Sequence, residues 1–143
     1  MVTMSLLSVE NLSVEYRSRR GVVRAVRNTS FALEAGKTLG VVGESGCGKS
    51  TLAMAVLGLL PPTAAVTGGA VKLGGRDLVR LDPEKLRGLR WRKMAYIPQS
   101  AMNSLNPVAR LRDQFHEIWH AHGGAPDGVR EKERGQLNRV GLD

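Results

Sequence analysis

The chain has 143 residues, one cysteine and a formal net charge of +8. A hydrophobic content of 42% beside 24% charged residues is ordinary for a globular domain large enough to bury a core. It excludes a disulfide framework, a low-complexity tract and a helical membrane span, since the longest apolar run, residues 52–60, falls short of the about 20 residues a bilayer requires.

The first residues carry neither a basic start nor a long apolar region. No signal peptide is read there, and with a lone thiol the chain is expected in the cytoplasm. Five arginines fall between Arg17 and Arg27, and seven basic residues between Arg76 and Lys93. With aromatic residues at 4%, few stacking platforms exist for single strands. The charge therefore reads as a solvated face towards water, anionic lipid or a protein partner, and no specific nucleic-acid contact is expected.

Leu6, Val9, Leu12, Val14 and Tyr16 predict an extended segment bent near Glu10 and Asn11. Arg17 to Gly21 reads as a turn, residues 22–26 as a second strand and residues 30–33 as a third, which together predict a small antiparallel sheet. Ala35-Gly36 marks a turn. Residues 38–42 (TLGVV) form a short apolar run of the kind that is covered on both faces in a parallel sheet. Residues 49–59 favour helix, weakened at Gly58 and stopped by Pro61-Pro62. Residues 60–68 are expected as loop and residues 71–73 as a strand closed by a Gly74-Gly75 turn. A helix capped by Asp82, with Pro83 at its first position, is expected to run to about Arg92. Residues 94–97 predict a strand ending at Pro98. Val108, Leu111, Phe115, Ile118 and Trp119 recur at helical spacing up to Gly123-Gly124. A last helix over Val129, Leu137 and Val140 is expected to be interrupted at Gly135.

Between the run TLGVV and the helix that follows it stands GESGCGKST, residues 43–51, which fits the pattern G-x-x-x-x-G-K-[ST]. Strand, glycine-rich loop and helix in that order give the pattern its meaning. Gly43, Gly46 and Gly48 permit backbone turns that a side chain would block, so that successive N–H groups face a phosphate chain. The helix adds unpaired amides and the positive end of its dipole. Lys49 would reach the β- and γ-phosphates, Ser50 would offer its hydroxyl to Mg²⁺, and Thr51 would bond the α-phosphate. Ser45 and Cys47 complete the loop, with Cys47 read as a small residue at a permissive position. Glu44 is expected to face solvent.

A phosphate loop alone does not name an activity. Two further features narrow the field. Tyr16 ends the first strand, 27 residues before Gly43, and Gln99 lies 48 residues after Thr51 in the run AYIPQSAMNSLNP. From Leu6 onward the chain resembles the ATP-binding subunit of an ABC transporter, and within that family the peptide and nickel importers, whose subunits carry VGESGSGKS and a Q-D-P-M-T-S-L-N-P run. The loop is common to many families; the S-L-N-P run is much more specific.

The resemblance implies an α/β, P-loop NTPase fold: the N-terminal half of an ABC nucleotide-binding domain, with an antiparallel β subdomain, part of the parallel core and the start of the helical subdomain. Residues 1–99 would hold the ATP-binding core and residues 100–143 the beginning of the helical subdomain. Tyr16 would stack on adenine. Gln99 would touch Mg²⁺ and the attacking water, and would report the nucleotide state to the membrane subunits. The helix over Val108 to Trp119 would open the part that docks on those subunits, with its apolar stripe mostly in a core. Its histidines, His116, His120 and His122, read as surface imidazoles. Ser100-Ala101 stand where Asp or Glu and Pro are usual, a change expected to alter partner contacts rather than nucleotide binding.

The implied activity is transport-coupled ATP hydrolysis driving peptide uptake, with ATP and Mg²⁺ as cofactors. Nickel, glutathione or oligosaccharides remain open as cargo. The implied partners are membrane permease subunits, a second ATP-binding subunit and, indirectly, an extracytoplasmic substrate-binding protein, at the inner face of the cell membrane. Hydrolysis in the family also uses an apolar strand ending in Asp-Glu, an L-S-G-G-Q signature and a switch histidine. None occurs in these residues, so the chain alone is expected to bind nucleotide without hydrolysing it, and to fold marginally. A P-loop kinase and a non-enzymatic basic binding module are the competing readings.

Overall fold

The computed structural model describes residues 5–90, 92–99, 104–124 and 129–141. They divide into two compact units, Met1–Ala95 and Tyr96–Asp143.

The first unit is built on a four-stranded antiparallel sheet. Its strands are β1 (Leu7–Ser18), β2 (Gly21–Leu33), β3 (Ala64–Leu73) and β4 (Arg76–Asp77), in the order β2-β1-β3-β4. β1 is paired on both edges, and its side chains dominate the core. Val9, Leu12 and Val14, with Val71 of β3, are at most 1% exposed.

Val9 and Leu12 are three residues apart, so simple alternation would send them to opposite faces. A bulge between them restores the face. Asn11 takes a left-handed conformation there, φ 48°, one that asparagine tolerates better than most residues. Its N–H donates to Ser30 Oγ at 2.8 Å, and that hydroxyl donates to Asn11 Oδ1 at 3.2 Å. Gly69 of β3 lies against the carbonyl oxygens of Glu10 and Asn11, leaving no room for a Cβ.

β2 carries a matching irregularity at Asn28, φ 46°, whose N–H donates to Ser13 Oγ at 3.1 Å. The ladder therefore continues through Asn28, and the two strands expected over residues 22–26 and 30–33 are one. β3 also begins earlier than its expected start at Val71. Ala64, Ala65 and Val66 pair with Tyr16, Glu15 and Val14, because the long second edge of β1 offers them backbone partners. The β3–β4 turn is the expected Gly74-Gly75 pair, with φ 54° and 79°, the positive values that a two-residue hairpin needs.

Helix α1 (Lys49–Leu57) buries Ala55 in the sheet core and packs Leu52 and Val56 against it. Gly58 ends it in a left-handed conformation. The Gly58 N–H donates to Ala55 O at 3.1 Å and the Leu59 N–H to Met54 O at 2.8 Å, the paired closure that glycine permits at a helix end. Helix α2 (Pro83–Leu89) starts as expected: Asp82 Oδ1 accepts from the Glu84 N–H at 2.9 Å. It stops at Leu89, short of Arg92.

The parallel strands expected at residues 38–42 and 94–97 are not formed among the described residues. Residues 38–42 pair with nothing, and Val42 is 96% exposed. Of residues 94–97 only Met94 makes a bridge, to Arg90. An apolar run specifies a covered face but does not supply the N–H and C=O partners a strand requires.

The second unit holds α3 (Leu111–Ala121) and α4 (Val129–Arg139). α3 begins after Val108, which lies outside it and is exposed. The Gln114 side chain organises the approach, accepting from the Asn106 N–H at 2.9 Å and donating to the carbonyls of Asn106 and Ala109, each at 3.1 Å. α4 runs unbroken through Gly135, contrary to expectation; an interior glycine costs a helix only about 1 kcal/mol. Between the helices, Lys132 Nζ stands 4.4 Å above the Trp119 ring, and His116 Nε2 lies 3.7 Å from Glu133 Oε2. The stripe expected mostly in a core is instead largely exposed at Leu111, Phe115 and Ile118. No helix among the described residues is long and apolar enough to cross a membrane.

Candidate functional site

The loop at residues 43–48 leaves the exposed run 38–42 and enters α1. It makes two turns that need glycine. Gly46 has φ 80°, and Gly48, at the N-cap of α1, has φ 99°. Gly48 lies so close to the Ala25 carbonyl oxygen of β2 that a Cβ would collide with backbone. Gly43 has a different need: a Cβ there would stand 2.7 Å from Cys47 Sγ. The loop is closed by the Cys47 N–H donating to Glu44 O at 3.3 Å, and the first helical bond runs from Leu52 N–H to Gly48 O at 2.8 Å.

Lys49 folds back across the loop. Its ammonium donates to the carbonyls of Gly43 at 2.8 Å and Glu44 at 2.7 Å, and lies 3.5 Å from Cys47 Sγ. A single cation thus spans the mouth of the loop. The N-terminus of α1 has no side-chain cap and no acidic residue in its first turn. A helix end with no side-chain cap and no carboxylate in its first turn is the arrangement that favours a bound phosphate. Glu44 contributes its carbonyl, and its exposed side chain faces solvent as expected.

Tyr16, at the far end of β1, reaches the same place. Its hydroxyl lies 3.3 Å from Thr51 Oγ1 on the first turn of α1. Val23 is paired directly opposite Tyr16 in the ladder and is exposed. Side chains directly opposite share a face, so the tyrosine and the valine make an apolar surface beside the loop. Val23 was not singled out by sequence reasoning, because nothing in a lone valine shows which strand lies across from it. Ser45 and Ser50 are exposed, in the loop turn and on the first helical turn.

The structure thus brings Tyr16, Gly43, Cys47, Gly48, Lys49 and Thr51 together in the first unit. Gln99 belongs to the second unit, exposed in a turn after Pro98. Ser100 and Ala101, the local departure noted in the sequence, lie outside the described residues.

The family model described as ABC transporter matches residues 26–142. The chain is 41% identical, over 99% of its length, to an uncharacterized ABC transporter ATP-binding protein, YejF, of Escherichia coli strain K12, and covers 27% of that protein. It is 40% identical, over 96% of its length, to the dipeptide transport ATP-binding protein DppD of Bacillus subtilis strain 168, and covers 42% of it. The chain therefore spans less than half the length of these relatives. Among solved structures, the dimeric bacterial ABC transporter cassette MJ0796 superposes with a TM-score of 0.78 at 21% identity, covering 96% of this chain and 58% of that one. That likeness establishes the fold.

Proposed function

We propose, since this chain belongs to the ABC transporter family, that its phosphate loop holds the triphosphate of ATP in a subunit that powers import of short peptides. The observation that carries this reading is the loop itself: positive φ at Gly46 and Gly48, and the Lys49 ammonium 2.7–2.8 Å from two loop carbonyls at an uncapped helix N-terminus. In the bound state that ammonium turns from the carbonyls to the β- and γ-phosphates, where its full charge is matched. Ser50 would offer its hydroxyl to a Mg²⁺ ion, which would neutralise charge on the phosphates. The backbone of Ser45 and Cys47 completes the phosphate cradle. Thr51 bonds the α-phosphate, and Tyr16 offers its ring to adenine. Gln99 is the residue proposed to meet the metal and the attacking water.

Peptide as the cargo is supported by the name of the dipeptide transport relative. Residues 1–99 form the nucleotide-binding part and residues 100–143 begin a helical part that meets the membrane permease. The working assembly pairs two ATP-binding subunits at the inner face of the membrane, fed by an extracytoplasmic binding protein. These 143 residues contain no apolar strand ending in Asp-Glu, so turnover is assigned to the assembled transporter and not to this stretch alone.

Cys47 gives a direct test, since its exposed thiol lies in the loop. A thiol-alkylating reagent should label it, and MgATP should slow the labelling in the native sequence but not in Lys49→Ala. Equal rates with and without MgATP in the native sequence would reject the reading.

A further inference from the structure

α1 carries the phosphate loop at one end, and its other end is held by a residue outside the loop motif. The last turn of α1 contains no basic side chain, so nothing on the helix itself answers its negative end. Arg90 does so from the C-cap of α2. Its Nε donates to Leu57 O at 3.1 Å and its Nη2 to Gly58 O at 2.6 Å. The Arg90 N–H donates to Leu86 O at 3.3 Å, which fixes the guanidinium's stem to the helix it leaves. Gly58 packs closely here: a Cβ would press on the Leu86 side-chain terminus, which would have to shift, and come within 3.4 Å of Arg90 Nη2.

We infer that Arg90 is a positioning residue for the phosphate loop, an inference that rests on the reading of residues 43–51 as the phosphate site. A rigid helix of nine residues is about 13 Å long. Its N-terminal end is located by the contact of Gly48 with the Ala25 carbonyl, and its C-terminal end by Arg90 and Leu86 on Gly58. With both ends fixed, the loop amides keep one direction. A guanidinium suits this task because its planar fork meets two carbonyls at once and places a cation at the end of the dipole. Lysine can restore the charge but only one point of attachment.

Hydrogen exchange and MgATP binding on the full chain test the inference together, at a temperature where circular dichroism shows each variant folded. Arg90→Met should speed exchange of the Leu52 amide, which is bonded to Gly48 O at the loop end, by at least threefold, and weaken MgATP binding by about tenfold. Arg90→Lys should recover part of both. Arg87→Met, on the same helix and paired with Glu84, should change neither. If faster exchange in Arg90→Met stays confined to residues 57–59, Arg90 is a local cap and the inference fails. The same conclusion follows if Arg90→Lys is no better than Arg90→Met. Should Arg90→Met not fold, Arg90→Gln replaces it with the same expected results. Should the native protein bind no MgATP, the nucleotide reading fails, and the exchange comparison still decides whether Arg90 orders the loop.

Discussion

β1 and the run that leads into the phosphate loop are both rich in valine and leucine, yet they end in opposite surroundings. In β1, Val9, Leu12 and Val14 are buried in one cluster with Val71 of β3 and Ala55 of α1, and both backbone edges of the strand are paired. In residues 38–42, Leu39, Val41 and Val42 are exposed and the backbone joins no ladder. The difference lies in the partners each stretch finds and not in its apolar content. β1 has two neighbouring strands to satisfy its N–H and C=O groups, and burial follows from that pairing. One region is therefore closed scaffold and the other an open approach to the loop at residues 43–48. Substitutions in the two should act on different observables.

The largest effect is expected in the scaffold. Leu12→Ala removes a fully buried side chain, and should cost about 2–5 kcal/mol in urea unfolding. The molecules that remain folded should keep the MgATP protection of Cys47. Loss of protection without loss of stability would break the division between scaffold and site. Next comes the point where the two regions touch. Gly48→Ala forces a Cβ against the Ala25 carbonyl at φ 99°, a strain of about 1–3 kcal/mol. It should lower the unfolding free energy and abolish protection together. A variant that binds normally would show that the loop does not need this approach to β2.

Val42→Ser sharpens the contrast. Val42 is exposed, so the change should lie within about 0.5 kcal/mol of neutral in the 143-residue chain. A cost above about 2 kcal/mol, of the size seen for core truncations, would show that the run is covered in solution.

The smallest effect belongs to the surface of the sheet. Lys72 Nζ donates to both oxygens of Glu10, at 2.8 and 2.7 Å. That hydrogen bond, aided by the ammonium's charge and opposed by slight desolvation, holds the Glu10 carboxyl below the ordinary glutamate value. A depressed folded value means the contribution is present above the unfolded pKa and is lost as pH falls through the folded one. The difference in unfolding midpoint between the native chain and Lys72→Met should be small at pH 7 and disappear once the pH has fallen below the folded Glu10 value. A difference that persists there would assign Lys72 another role.

Much of this arrangement was legible in the residues. The bend of β1 showed as an apolar pattern that changes parity between Val9 and Leu12. The Asp82 cap and the Gly74-Gly75 turn were each carried by one residue type with one conformational use, and Gly58, expected only to weaken α1 before Pro61-Pro62, ends it. The glycine turns of residues 43–48 were legible because glycine spacing acts locally. What escaped was set by partners distant in sequence. Residues 27–29 fell between two expected strands, but Ser13 across the ladder satisfies the Asn28 N–H and the strand continues. Residues 64–67 looked like loop until β1 offered an edge. Residues 38–42 and 94–97 had strand composition and found no ladder. Val23 and Arg90 matter through what lies opposite them, which no local pattern records.

The central claim is that the glycine turns and the Lys49 ammonium at the mouth of α1 bind the phosphates of ATP, and titration calorimetry tests it most directly. Folded native chain should give saturable heat with MgATP. Lys49→Ala should lose about tenfold or more in affinity, the worth of one charge-assisted contact, with its unfolding midpoint nearly unchanged. No saturable heat from folded native chain, or equal binding by Lys49→Ala, would contradict the account.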